Sequence, residues 1–128
     1  MAQIKQIAAG QVLFNEGDPA KCMYLIKSGE VSIRKRKGST FVEITRLRDG
    51  EIIGEISFFD RQPRSATAMA LTPAVVTEMP FDSLDAIYAK IPDYLKTIMA
   101  SIADRIRKTD DAIRRLSKET VENQSSDE

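Results

Sequence analysis

The apolar residues of this chain change their period once, at Pro80, and that switch limits the folds open to it. Before Pro80 they come in short runs, several alternating with polar residues, and each run is closed by a turn signal. Strands are expected at 11–14, 23–26, 31–34, 41–45, 66–70 and 74–79. Between them lie Asn15-Glu16-Gly17-Asp18-Pro19, Ser28-Gly29, Lys37-Gly38-Ser39, Arg48-Asp49-Gly50 and Leu71-Thr72-Pro73, residue types that favour reversals. Short strands at such even spacing imply an all-β barrel or sandwich over 3–80, with the jelly roll as the leading form. The sequence contains no internal repeat.

After Pro80 the period is helical, and helices are expected over 82–118. Asp82 or Ser83 is placed to cap a first helix whose apolar face is Leu84, Ile87 and Tyr88. Ile91-Pro92 ends it. Asp93 opens a longer helix, since neither Gly nor Pro occurs from Tyr94 to Lys118. Met99, Ile102, Ile106, Thr109, Ile113 and Leu116 then fall at alternating spacings of three and four, a heptad seam with one polar member, Thr109. Some 25 helical residues extend roughly 37 Å, more than a small β-barrel covers. The outer half is therefore expected to pack on a second copy and form a homodimer; the alternative is a helix folded back on its own barrel. Residues 119–128, polar and mostly acidic, read as a flexible tail.

Composition removes several kinds of chemistry. The chain has no histidine and a single cysteine, Cys22, so an internal disulfide, a cysteine metal cage and histidine-based catalysis are all excluded. Nineteen basic and nineteen acidic side chains cancel, which argues against a surface built for nucleic acid. With 42% apolar and 30% charged residues the chain has the make-up of a globular protein. No apolar run approaches the roughly 20 residues of a membrane span, and no signal pattern opens the sequence, so a cytoplasmic binding module is expected rather than an enzyme.

One segment stands apart: Ile53-Gly54-Glu55-Ile56-Ser57-Phe58-Phe59-Asp60-Arg61-Gln62-Pro63-Arg64-Ser65-Ala66-Thr67. It reads as a glycine turn, a single helical turn with a carboxylate at its start, and an exit through proline to an arginine that begins a strand. The start of a helix offers unsatisfied N–H groups to an anion. Gly54 allows close backbone approach, Arg64 adds a forked cation matched to phosphate oxygens, and Ser65 adds a hydroxyl. Glu55 repels phosphate but accepts from a sugar hydroxyl. The set points to a ligand with both an anionic phosphate and a free hydroxyl; the plainer reading is an internal Glu55–Arg64 ion pair, a poor stabilising device when buried.

These residues resemble the phosphate-binding cassette of cyclic nucleotide-binding domains, Gly-Glu-aliphatic-small-apolar followed by a short link and Pro-Arg-Ser/Thr/Ala-Ala. Gly54, Glu55, Ile56, Ser57, Phe58, Pro63, Arg64, Ser65 and Ala66 match it in order. The turns at 14–19 and 25–31 are similar to family turns ahead of the cassette. The resemblance implies an eight-stranded jelly-roll β-barrel, a short helix and a long dimerisation-type helix, together one domain over 1–118. It implies that Arg64 pairs with the phosphate, assisted by N–H groups of Ile56, Ser57, Ser65 and Ala66. Glu55 would accept from the ribose, and Ile33 and Ile44 would flank the purine. Ser65 after the cassette arginine is similar to the bacterial catabolite activator branch, which implies cAMP ahead of cGMP. In that register Thr109 and Arg105 fall on base-contacting positions, Thr109 partly across a dimer, while Asp110 departs from the serine found there.

Residues 117–128 are too short and acidic for a DNA-reading module, and Arg34-Lys35-Arg36-Lys37 reads as a solvated hairpin tip, so no DNA binding is expected. The function expected is a cAMP sensor, needing no cofactor or metal, that signals through its C-terminal helix to an unidentified partner protein. The alternative is an interaction scaffold of the same fold whose pocket is unused or takes cGMP or a cyclic dinucleotide.

Overall fold

In the computed structural model, which describes residues 2–117, the chain divides at Pro80 as its apolar periods require. Eight strands precede the division: β1 (Gln3–Ile7), β2 (Val12–Phe14), β3 (Cys22–Ser28), β4 (Val31–Lys37), β5 (Thr40–Leu47), β6 (Ile52–Ile53), β7 (Thr67–Ala70) and β8 (Ala74–Pro80). A short helix, α1 (Ile56–Asp60), interrupts them, and α2 (Phe81–Tyr88) and α3 (Asp93–Leu116) follow. Strand β1 pairs with β8, β2 with β7, β3 with β6 and β4 with β5, all antiparallel, the nested pairing of a jelly roll. The strands lie in two four-stranded sheets, ordered β1-β8-β3-β6 and β2-β7-β4-β5, rather than in one closed cylinder.

Two of these strands escape a reading by alternation. Strand β1 is exposed at every position but its last, Ile4 included, and β6 is two residues long. Pairing in register along β8 holds the first, and Tyr24 and Leu25 of β3 hold the second. The inner faces contribute Tyr24, Ile26, Val31, Ile53, Ala68, Ala70 and Val76 to the main core. A second cluster joins α1 to α2: the Phe58 ring lies 5.1 Å from that of Phe81 and 5.0 Å from that of Tyr88. Helix α1, too short to stand alone, is pinned by this aromatic contact.

The structure corrects three local expectations. Arg34 to Lys37 are not a hairpin tip but the second half of β4. Lys35 is buried there, 3% exposed, and its ammonium meets Asp111 of α3 at 2.8 Å; a buried ammonium requires such a partner. Helix α2 starts at Phe81, so Pro80 takes the N-cap position that Asp82 or Ser83 was expected to fill. Pro80 is itself extended there, and the Phe81 N–H that opens the helix donates to the Lys21 carbonyl at 2.8 Å.

Helix α3 does fold back on its own sheets, and it does so with its charged stripe. Ala103 is buried against the body, and Arg107, Asp111 and Arg114 follow at helical spacing. Arg107 pairs with Asp60 of α1, Asp111 with Lys35 of β4, and Arg114 with Glu16 at 2.8 Å. Lys37 donates to the carbonyls of Arg115 and Ser117 at the helix end, where a cation also complements the helix dipole. Of the heptad seam, Ile102, Ile106, Thr109 and Leu116 are exposed and Met99 and Ile113 half-buried, while Leu95 and Ile98 extend the exposed apolar surface toward the helix start. The expected tail at 119–128 lies outside the described residues.

Gly29, between β3 and β4, has φ +104°, and a Cβ there would lie 2.6 Å from Ala74 Cβ and 2.7 Å from the Pro73 carbonyl. Gly10, at φ +85°, has nothing within 4 Å of the same position. Gly29→Ala is therefore expected to destabilise by about 3 kcal/mol or more, strain plus collision with backbone, and Gly10→Ala by about 1 kcal/mol, strain alone. Urea unfolding of both variants checks the difference; equal losses would contradict it.

Candidate functional site

Gly54 links β6 to α1 at φ +84°, a left-handed conformation that glycine adopts without strain. A Cβ at this position would stand 2.5 Å from Nη1 of Arg64. Glycine is thus needed twice, for the turn and for the guanidinium pressed against it. Arg64 is 5% exposed. Its Nη1 donates to the Gly54 carbonyl at 3.2 Å and its Nη2 to the Cys22 carbonyl at 2.6 Å, with Cys22 Sγ 3.6 Å away. The guanidinium carbon lies 4.1 Å from the centre of the Phe14 ring, within cation–π range. Its Nε–H has no partner. Among the described residues no ion pair joins Arg64 to Glu55, so the cation is buried without a counter-anion, and an incoming anion supplies both the missing charge and the missing acceptor.

The guanidinium lines a cavity of about 480 Å³, the size of a small-molecule site. Gly54, Glu55, Ile56 and Ser57 form one wall, Arg64, Ser65 and Ala66 the next, and Ile33, Ile44, Thr45 and Leu47 an apolar one. Ile106 and Asp110 of α3 close the remaining side. The structure thus brings together Gly54, Glu55, Ile56, Ser57, Arg64, Ser65, Ala66, Ile33 and Ile44. It does not place Arg105 and Thr109 there: both are exposed on α3 and line no part of this cavity. Sequence reasoning overlooked Phe14 and Cys22, which hold Arg64, and the lining role of Asp110. The available signal for Asp110 was its place on the stripe of Ala103, Arg107 and Arg114, off the apolar seam.

Three carboxyls, Glu51, Glu55 and Asp110, line the cavity with one cation, Arg64. Burial pushes the Glu55 carboxyl above its ordinary range, against the N–H groups of Glu55 and Ile56, which favour the anion. Burial also raises Asp110, opposed by Lys35 and reinforced by Asp111, with Arg107 on the opposing side. A buried cation, carboxyls able to accept from hydroxyls and an apolar wall therefore meet in one space.

Residues 4–90 match the profile of the family described as "Cyclic nucleotide-binding domain", and the chain belongs to that family. Its curated relatives include proteins named as regulators and one named as a putative potassium channel protein, from Rhodopseudomonas palustris. It is 33% identical over 119 residues to the anaerobic regulatory protein of Pasteurella multocida, covering 92% of this chain and 43% of the relative. It is 31% identical over 101 residues to the CRP-like cAMP-activated global transcriptional regulator of Mycobacterium tuberculosis strain H37Rv, covering 78% of this chain and 45% of that one. The chain therefore spans less than half the length of these curated relatives. Among solved structures, the EAL enzyme Bd1971 in its cAMP-bound form superposes with a TM-score of 0.82 at 28% identity, over 86% of this chain and 29% of that one. Its cGMP-bound form gives 0.78 at 30% identity, over 82% and 28%. No helix among the described residues is long and apolar enough to cross a membrane.

The raised Glu55 carboxyl has a measurable consequence. A carboxyl whose pKa is higher in the folded state binds its proton more tightly there, so its favourable contribution is complete below the ordinary value of 4.5 and is lost as pH rises through the folded value. Glu55→Gln is expected to raise the ligand-free melting temperature at pH 7 and to leave it nearly unchanged near pH 4. Calorimetric scans across that window check this; equal effects at both ends would contradict it.

Proposed function

We propose that this domain is a cyclic nucleotide sensor without catalytic activity of its own, binding cAMP in the cavity around Arg64. The observation that carries the reading is the buried guanidinium with no anionic partner and an unused Nε–H. Arg64 would bind the phosphate together with backbone N–H groups at Ser57, Ser65 and Ala66. Glu55 would accept from the ribose 2′-hydroxyl, and Ile33 and Ile44 would pack on the purine. A cAMP-activated relative and a cAMP-bound structural neighbour support this choice of ligand. Regulators among the relatives support a cytoplasmic location and an output through α3 to a partner protein. No metal or cofactor is needed for binding and release.

A second reading, cGMP, is favoured by Asp110. A carboxylate accepts two hydrogen bonds side by side. Guanine offers two adjacent donors on one edge, whereas adenine offers a donor beside an acceptor. Titration calorimetry with both nucleotides separates the two readings. Arg64→Ala is expected to weaken binding of the preferred nucleotide at least tenfold, the loss of a charge-assisted bond of about 1.5–3 kcal/mol. Unchanged affinity would place the ligand elsewhere, and binding of neither nucleotide would favour the scaffold reading.

We also propose a homodimer through the outward seam of α3. Leu95, Ile98, Ile102 and Ile106 leave an apolar stripe exposed on a helix otherwise held by ion pairs. In such a dimer Arg105 and Thr109, also outward, would face the second copy, and a base contact by Thr109 would be made across the interface. Ile98 is 49% exposed and lines neither the cavity around Arg64 nor the groove beside it, so Ile98→Asp tests the seam without touching the nucleotide site. Monomers are expected in analytical ultracentrifugation, and a persistent dimer would move the interface elsewhere.

A further inference from the structure

We infer that Arg107 of α3 is a positioning residue for the phosphate cassette, fixing the link that presents Arg64; this rests on the reading that the cassette holds a cyclic phosphate. The link between the first turn of α1 and Arg64 runs over residues 57–63. One guanidinium grips it at three places. Arg107 Nη2 donates to the Pro63 carbonyl at 2.9 Å and to Asp60 Oδ1 at 3.0 Å, and lies 3.5 Å from Ser57 Oγ. Arg107 Nε donates to Asp60 Oδ2. Ser57 Oγ in turn donates to the Pro63 carbonyl at 3.3 Å, closing the two ends of the link on each other.

The place of these contacts is what assigns the role. The Pro63 carbonyl belongs to the same peptide group as the Arg64 nitrogen, and that nitrogen donates to the Asp18 carbonyl at 2.9 Å. The peptide that aims Arg64 is therefore fastened on both sides, by Asp18 through its N–H and by Arg107 through its C=O. The other ion pairs that dock α3, Lys35–Asp111 and Arg114–Glu16, reach strand β4 and the turn after β2 and do not touch the cassette. Both partners of the Arg107–Asp60 pair are largely shielded, with side chains 19% and 11% exposed. Holding the link in its binding shape before the ligand arrives spares an ordering cost on binding. Loss of Arg107 therefore acts on affinity without removing any group that touches the nucleotide.

The test uses the full chain, with titration by cAMP and by cGMP and thermal midpoints measured alongside. Arg107→Ala is expected to weaken binding about tenfold, with Arg107→Lys between it and the wild type because an ammonium cannot span three acceptors. Asp60→Asn, which keeps the side-chain shape, should weaken binding in the same direction, and the double variant Arg107→Ala/Asp60→Asn should be no weaker than Arg107→Ala alone. Arg114→Ala removes a comparable α3 ion pair away from the cassette and should stay within about twofold of the wild type. Equal losses for Arg107→Ala and Arg114→Ala would overturn the inference in favour of general helix docking, as would unchanged affinity for Arg107→Ala or additive losses in the double variant. Should Arg107→Ala fail to fold, Arg107→Lys and Asp60→Asn carry the same comparison. Wild-type protein that binds neither nucleotide would instead defeat the underlying reading.

Discussion

Burying one guanidinium without an anionic partner is the condition around which this domain is arranged. Arg64 is kept in place by two backbone carbonyls from distant parts of the chain, Gly54 at the end of β6 and Cys22 at the start of β3, and by the face of Phe14 on β2. Carbonyl dipoles and a ring face make an interior tolerable for a cation, but they do not neutralise it. The requirement spreads outward. It fixes a glycine at 54, because any side chain there would collide with Nη1, and it ties the geometry of three strands to a single side chain. A chain that keeps such an arrangement carries a standing electrostatic cost that an anionic ligand offsets.

Helix α3 shows how one element can serve two surfaces by dividing its stripes by chemistry. Its charged stripe meets the sheets and the cassette through Arg107, Asp111 and Arg114, each paired with a residue of the body. Its apolar stripe is left to the outside. Ion pairs set position with more angular definition than apolar packing does, and they contribute less to stability once the desolvation of both partners is counted. The helix is thus placed accurately and held modestly, while the larger hydrophobic gain remains open to whatever covers the seam.

Much of this was legible in the sequence. Alternation and turn chemistry located six of the strands, and seven of the nine cassette positions, all but Phe58 and Pro63, line the cavity. Strand β1 was not legible, because Gln3-Ile4-Lys5-Gln6-Ile7 gains its place from pairing along β8 rather than from an apolar face. The basic run at 34–37 was misplaced for a related reason. Lysine in a strand looks solvated until a carboxylate arrives from elsewhere, and Asp111 lies 76 residues away in sequence. The heptad seam was legible as a seam, but which stripe of α3 would face inward was not, since hydrophobicity alone favours burying the apolar one. The role of Arg107 depends on three acceptors in a link with no pattern of its own, and only the folded chain brings them within reach of one side chain.

Ile106 lines the nucleotide-sized cavity and also the shallow apolar groove formed by Ile56, Phe59, Met99, Ile102 and Ala103 on its other side. It is a party wall between two chambers, one opening to the interior of the jelly roll and one to the seam. Ile106 shares that partition with Glu55 and Ile56, and the two isoleucines, branched at Cβ with few rotamers, yield by jumping from one rotamer to another rather than by gradual bending. A rotamer change at this partition would alter the outline of both chambers at once.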